Sequence, residues 1–173
     1  DHQYSLYDTL LHVPLIVDGG PFSEYGSDDQ LVQITDVVPT ILDALDIEDS
    51  SLQRQSQGQS ILASDFNREV AFAEYLSPMP SREAIEARVG DPNNVIGDYL
   101  RSLRSIRRDG YKLIIGSDGQ KELYDTTTDP NETTNIADTH PERVTDMESE
   151  LQDWLDSFEK SVSDDPDEIS DTV

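Results

Sequence analysis

The sequence contains no cysteine and only one tryptophan. Without thiols these residues can form neither a disulfide nor a thiolate metal site, and the redox compartment stays open. Basic residues are scarce as well: 12 Lys and Arg stand against 37 Asp and Glu, a formal net charge of −25. Nucleic acids and anionic membrane surfaces are bound through basic footprints, so both are excluded as partners. No apolar run approaches the roughly 18 residues that a spanning helix needs, so no membrane segment is visible. Hydrophobic content is low, at 35%. Strong acidity with few aromatics can signal disorder, but here the apolar residues keep strand and helix periods, so most of the chain is expected to fold. The charge then reads as an acidic surface adapted to high salt, of the kind found in a halophilic archaeon. At molar salt the screening length falls to about 3 Å and self-repulsion largely disappears. That reading favours a cytoplasmic location and leaves secretion open.

What is present begins with Asp1-His2-Gln3-Tyr4-Ser5-Leu6-Tyr7-Asp8, a polar lead-in to the apolar, β-rich residues 13–17. The breakers Asp18-Gly19-Gly20-Pro21 close that run, which predicts a strand buried inside a sheet. A buried strand needs neighbours on both sides and nothing upstream supplies one. The chain is therefore expected to be the C-terminal part of a larger α/β protein. Next, Thr35 predicts an N-cap, Asp36 suits the positive end of a helix, and Val38, Ile41, Leu42 and Leu45 form one apolar stripe. Residues 47–59 read as a linker. Beyond them come a strand at 70–75, a helical piece near 82–88, and paired strands at 101–107 and 111–115 across Asp109-Gly110. A further pair, 111–115 with 122–124, turns across Ser117-Asp118-Gly119. A last helix over 141–158 is expected to pack on this small sheet with Trp154 as its largest anchor. From residue 161 the chain is acidic and aperiodic, a predicted disordered tail.

Several segments, taken in order, resemble one family. They are Leu6-Tyr7-Asp8 with Leu10-Leu11-His12-Val13-Pro14-Leu15-Ile16-Val17, Gln33-Ile34-Thr35-Asp36-Val37-Val38-Pro39-Thr40-Ile41-Leu42-Asp43, and Gly58-Gln59-Ser60-Ile61-Leu62. Ala71-Phe72-Ala73-Glu74-Tyr75, Arg104-Ser105-Ile106-Arg107 through Tyr111-Lys112-Leu113-Ile114, and Glu122-Leu123-Tyr124-Asp125 with Asp129-Pro130-Asn131-Glu132-Thr133-Thr134-Asn135 follow. Together, over roughly residues 1–158, they resemble sulfatases of the alkaline-phosphatase superfamily. The resemblance implies the C-terminal part of an α/β sandwich, then a small antiparallel sheet packed on a C-terminal helix. On it, residues 1–60 end the α/β core, 61–160 form the small subdomain, and 161–173 are the tail. It also implies hydrolysis of a small-molecule or carbohydrate sulfate ester. The nucleophile would be a formylglycine made from an upstream Cys or Ser, with a divalent cation, Ca2+, also held upstream. A phosphodiester or phosphonate-ester hydrolase on the same scaffold, or a non-catalytic acidic interaction module, are the alternatives.

Within this chain the resemblance marks His2 as the residue that binds a sulfate oxygen or the leaving group. A cation or N–H donor there stabilises the charge that builds on the ester oxygen, and an imidazole can protonate it. Many relatives carry the basic residue four positions before the Tyr; here that place is Gln3, and His2 lies five before Tyr7. No catalytic residue proper and no metal ligand is assigned in this part. His12 takes the place of an Arg common in the family, with a direct role or a structural hydrogen bond as its two readings. His140 reads as an exposed loop residue. Asp125, Asp129 and Glu132 lack the spacing and the central Gly of a calcium loop. Glu74, Tyr75, Arg104, Arg107 and Arg108 read either as cleft-lining groups or, preferably, as a hydrogen-bonded Glu and arginines neutralising acidic neighbours. Asn131-Glu132-Thr133 matches a glycosylation pattern that is common by chance.

Overall fold

The computed structural model describes residues 5–22, 26–48, 52, 55–76, 82–89 and 100–163, and for residues 82, 83, 85, 89 and 159–163 the backbone alone. The chain divides into two compact units, one of residues 1–11 with 72–173 and one of residues 12–71.

The first unit is built on a four-stranded sheet in the order β1-β2-β3-β4, formed by β1 (Val70–Tyr75, of which residues 72–75 belong to this unit), β2 (Leu103–Arg108), β3 (Tyr111–Gly116) and β4 (Lys121–Asp125). Both tight turns follow from local chemistry. Asp109 and Gly110 each adopt positive φ, 52° and 75°, as a two-residue hairpin that matches strand twist requires. At the second turn Gly119, with φ 82°, donates its N–H to the Gly116 carbonyl at 2.9 Å. Antiparallel register sets Ile106 opposite Leu113 and Leu113 opposite Leu123. Since side chains alternate, that row lies on one face, while Arg107, Lys112 and Tyr124 form a row on the other.

The first face is covered by the last helix, Pro141–Ser163, whose Val144, Met147 and Leu151 are buried. Arg143 lies over the Tyr111 ring at 3.9 Å, and Lys121 pairs with Glu148 at 2.6 Å. Trp154 stacks on Phe72 at 4.5 Å and meets Phe158 edge-on at 4.8 Å. The helix is longer than the expected 141–158; the end of the predicted tail, residues 164–173, lies outside the described residues. The second face carries the start of the chain. Leu6 is buried in a cluster with Leu103, Ile114 and Tyr124, and Tyr7, Ala73 and Tyr75 pack around it. Residues 8–11 then make one helical turn, α1 (Asp8–Leu11). The helical piece expected near 82–88 is present as a helix over Arg82–Val89.

In the second unit a 3-10 turn (Ile34–Asp36) leads into α2 (Val37–Ala44). The cap differs from expectation. Thr35 is exposed, and Asp36 accepts the Gln33 N–H at 2.8 Å. Asp36 is also 0% exposed and receives the Arg68 guanidinium on both oxygens, Nε at 2.8 Å and Nη2 in a shorter contact, together with the Gln59 N–H at 2.8 Å. Burial raises its carboxyl pKa, but the Arg68 bond and the two backbone donors hold it below the usual range. Thr40 Oγ1 accepts the Ile61 N–H at 3.0 Å, so the two motif segments 33–43 and 58–62 are one interlocked structure. Gly58 is required there: a Cβ would lie 1.8 Å from the Thr35 carbonyl oxygen.

Residues 13–17 depart from expectation. They form no strand, and their side chains are exposed, Ile16 to 88%. Strand propensity alone does not bury a segment; its N–H and C=O groups need a neighbouring strand, and none of the described strands pairs with it. Likewise the α2 stripe faces solvent, with Val38 50% and Ile41 51% exposed.

Candidate functional site

His2 lies outside the described residues. What the structure places is the chain that follows it, held on the second face of the sheet by two polar clusters. The first is centred on Glu122. Its Oε2 accepts hydrogen bonds from the Tyr7 hydroxyl at 2.6 Å and the Tyr124 hydroxyl at 2.8 Å, and its Oε1 accepts from Arg101 at 2.9 Å. The Tyr7 and Tyr124 rings meet edge-on at 5.9 Å. Burial would raise the Glu122 pKa, but the two phenols and Arg101 outweigh it and the carboxyl titrates below its ordinary value. Both phenols are shifted upward, by burial first and by the neighbouring carboxylate second.

The second cluster is centred on Lys112, which is only 1% exposed although it stands in the apolar run of β3. Its ammonium lies 2.7 Å from Asp8 Oδ1 and 2.7 Å from Glu132 Oε1, the latter an ion pair without hydrogen-bond alignment. Arg107 donates to Asp8 Oδ2 at 2.6 Å, and the Asp8 backbone N–H donates to Glu132 Oε2 at 2.6 Å. Burial pushes the Asp8 pKa up; the bond from Lys112 and the charges of Lys112 and Arg107 pull it further down, so the net shift is downward. A buried lysine is stable only when paired, and here two carboxylates face it. Glu132 reaches inward from a positive-φ position, 54°, in the loop after β4. Asp129 shapes that loop by accepting the Thr133 and Thr134 N–H groups, each at 2.8 Å, and Asp125 caps Thr127 and Thr128.

Two cations thus face two carboxylates, and neither acid is left free to act as a base. The arrangement grips a chain segment; it does not itself break a bond. Sequence reading missed it. Lys112 was the available signal, since a charge inside an apolar strand needs a partner, but the partner Asp8 lies 104 residues away.

The other singled-out residues are placed apart from this grip. Arg104 pairs with Glu74 at 2.8 Å, and Arg108 with Asp146 and Glu150, so these arginines neutralise acidic neighbours as preferred. Arg107 is the exception that enters the cluster. His12 is exposed, and His140 is exposed beside Thr139 at 2.9 Å. Tyr75 is half-buried near Leu6. Among the described residues no three His, Asp or Glu side chains converge to hold a cation, and no helix is long and apolar enough to cross a membrane.

No family model matches the chain. Among curated proteins it is 27% identical over 168 residues to arylsulfatase K of Bos taurus, covering 94% of this chain and 29% of that protein. It is 29% identical over 160 residues to the uncharacterized sulfatase YidJ of Escherichia coli (strain K12), covering 92% and 28%. The chain therefore spans under a third of the length of the curated relatives it matches. Among solved structures, a 2-O GAG sulfatase overlays with a TM-score of 0.52 at 19% identity, covering 70% of this chain and 24% of that one. A phosphonate monoester hydrolase of Agrobacterium radiobacter overlays with a TM-score of 0.54 at 19% identity, covering 75% and 26%. The fold is that of these alkaline-phosphatase-like proteins: α/β, with a small four-stranded antiparallel sheet and a C-terminal helix.

Proposed function

From this sulfatase homology, which covers the C-terminal part of those enzymes, we propose that the chain is the C-terminal part of a sulfuric ester hydrolase. The observation that carries the reading is the match over 94% of this chain to 29% of an arylsulfatase. The exposed apolar residues 13–17 and the exposed α2 stripe support it, because a chain with a net charge of −25 gains nothing by showing them to water. On this reading residues 1–60 end the α/β core of the whole enzyme, and 61–160 form its small subdomain.

In the reaction so proposed, an upstream formylglycine would supply the nucleophile, and a calcium ion held by upstream residues would supply Lewis-acid polarisation of the sulfate oxygens. On this reading both come from upstream of this chain; among the described residues no ligand set for the ion converges, and no step here runs through it. This chain contributes His2, whose imidazole donates to an ester oxygen and stabilises the charge that develops as the leaving group departs. The substrate class we assign is a small-molecule or carbohydrate sulfate ester; one solved neighbour was determined in complex with D-glucosamine-2-N,6-O-disulfate. We further read the acidic surface as an adaptation to high salt, as in a halophilic archaeon.

The likeness to a phosphonate monoester hydrolase favours a second reading, phosphonate- or phosphodiester hydrolysis on the same scaffold. The coding sequence upstream of Asp1 separates the two. An open frame with Cys/Ser-x-Pro-x-Arg and an acidic metal-binding pair supports the sulfatase. An unmodifiable Thr in the nucleophile's place moves the reading to phosphoester chemistry.

A further inference from the structure

Of the five asparagines in the chain, at 67, 93, 94, 131 and 135, only Asn131 is followed two residues on by Ser or Thr. From Asn131-Glu132-Thr133 and its setting we propose that Asn131 carries an N-linked glycan, and with it that the full-length protein is exported, the case that its charge leaves open. The site stands apart from the ester chemistry and does not depend on which ester is cleaved.

The three-residue pattern alone is common; the loop that carries it sets this copy apart. Residues 129–132 make a tight turn, closed by the Glu132 N–H on the Asp129 carbonyl at 3.1 Å, with Pro130 and Asn131 at its corner. Glu132 then turns inward at φ 54° and is buried, its carboxylate against Lys112. Its neighbours Asn131 and Thr133 are both exposed. The Asn131 side chain takes part in no hydrogen bond among the described residues, so its Nδ2 is open to substitution. Asn135, later in the same loop, is the contrast. Its Oδ1 accepts the Leu123 and Ala137 N–H groups, each at 3.0 Å, and its Nδ2 donates to the Lys121 carbonyl at 3.1 Å. A sugar on Asn135 would undo the brace along β4, whereas one on Asn131 leaves every bond of the described loop in place. A glycan is bulky and hydrophilic, and a surface turn of this kind is where a fold bears one. The co-reactant is an oligosaccharide linked to a polyprenyl phosphate or diphosphate. The bond from Asn131 Nδ2 to the anomeric carbon forms and the bond from that carbon to the phosphate oxygen breaks. The polyprenyl phosphate leaves with the bonding pair, and the amide gives up one proton.

Mass spectrometry of the full-length protein, made by the organism that encodes it and collected from both the cells and the medium, tests the assignment. Trypsin cuts after Lys121 and after Arg143 and releases residues 122–143 as a single peptide. In the exported protein that peptide should be raised by the mass of an oligosaccharide, with sugar fragment ions and the addition localised to Asn131. Asn131→Gln and Thr133→Ala should each return the peptide to its unmodified mass, while Thr133→Ser, which keeps the hydroxyl, should keep the sugar. Thr133→Ala also removes the hydroxyl bond to Asp129 Oδ1 at 3.0 Å. Asn131→Gln breaks no such bond, so it separates loss of the acceptor from damage to the loop. An unmodified peptide in the exported protein, a sugar that persists in Asn131→Gln, or a protein confined to the cell interior would each overturn the proposal.

Discussion

Asp36→Asn offers the sharpest test of how the second unit is held together. The wild-type carboxylate is fully buried and accepts four donors: Arg68 Nε, Arg68 Nη2, and the N–H groups of Gln33 and Gln59. Asparagine keeps one acceptor oxygen and presents an NH2 group on the other side. At least one charge-assisted bond is lost, worth about 1.5–3 kcal/mol, and one buried backbone donor loses its acceptor, at about 1–3 kcal/mol. The sum, about 2.5–6 kcal/mol, brackets the roughly 3–5 kcal/mol typical of leaving one member of a buried ion pair alone. Hydrogen exchange at Gln59 and Ile61 reads the opening of this unit directly. A loss of about 3 kcal/mol accelerates both amides by roughly 10²-fold where exchange follows the opening equilibrium. Acceleration of less than about threefold would show that the Asp36–Arg68 pair does not hold the two motif segments together.

Three further outcomes follow from particular contacts. Gly58→Ala places a methyl against the Thr35 carbonyl, so the second unit should be destabilised by about 1–3 kcal/mol or more in the same exchange assay. For acid behaviour, Asp8 and Glu122 both titrate below their ordinary values of 3.8 and 4.5, so their stabilisation is present above those values and is lost as pH falls through the lower folded ones. In urea titrations followed by Trp154 fluorescence, Glu122→Gln should be less stable than wild type at pH 7, and the gap should close as pH drops below about 4. The difference between the two proteins cancels the general relief of self-repulsion; a gap that persists unchanged to low pH would contradict the assignment. Finally, the net charge of −25 predicts a melting temperature that rises between 0.1 M and molar KCl, as the screening length falls from about 10 Å to 3 Å. A flat salt profile would remove the high-salt reading.

Much of the small sheet was legible in the sequence because its signals are local. Asp109-Gly110 and Ser117-Asp118-Gly119 sit between short apolar runs, and the strands and turns form where those patterns place them. The last helix was legible for the same reason, through the spacing of Val144, Met147 and Leu151. The grip on Asp8 was not. Its members come from residues 8, 107, 112 and 132, and a carboxylate in so acidic a chain carries no mark of the cation it will meet. Asp36 was read as a helix-end charge, and its partner Arg68, 32 residues on, belonged to no motif. Residues 13–17 show the opposite failure: their propensity for a strand was plain, yet pairing is a property of the neighbour and not of the segment.

Sulfate ester hydrolysis by the full-length protein tests the central claim most directly. Purified protein would be assayed on an aryl sulfate beside the matching aryl phosphate and phosphonate ester, with His2→Ala as the internal comparison. The account predicts turnover of the sulfate ester in preference to the other two, with a loss in His2→Ala of about 10²-fold or more, the range for a positioned general acid. Turnover of the phosphonate or phosphate ester alone would transfer the chain to the second reading, and no turnover of any of the three would contradict the account.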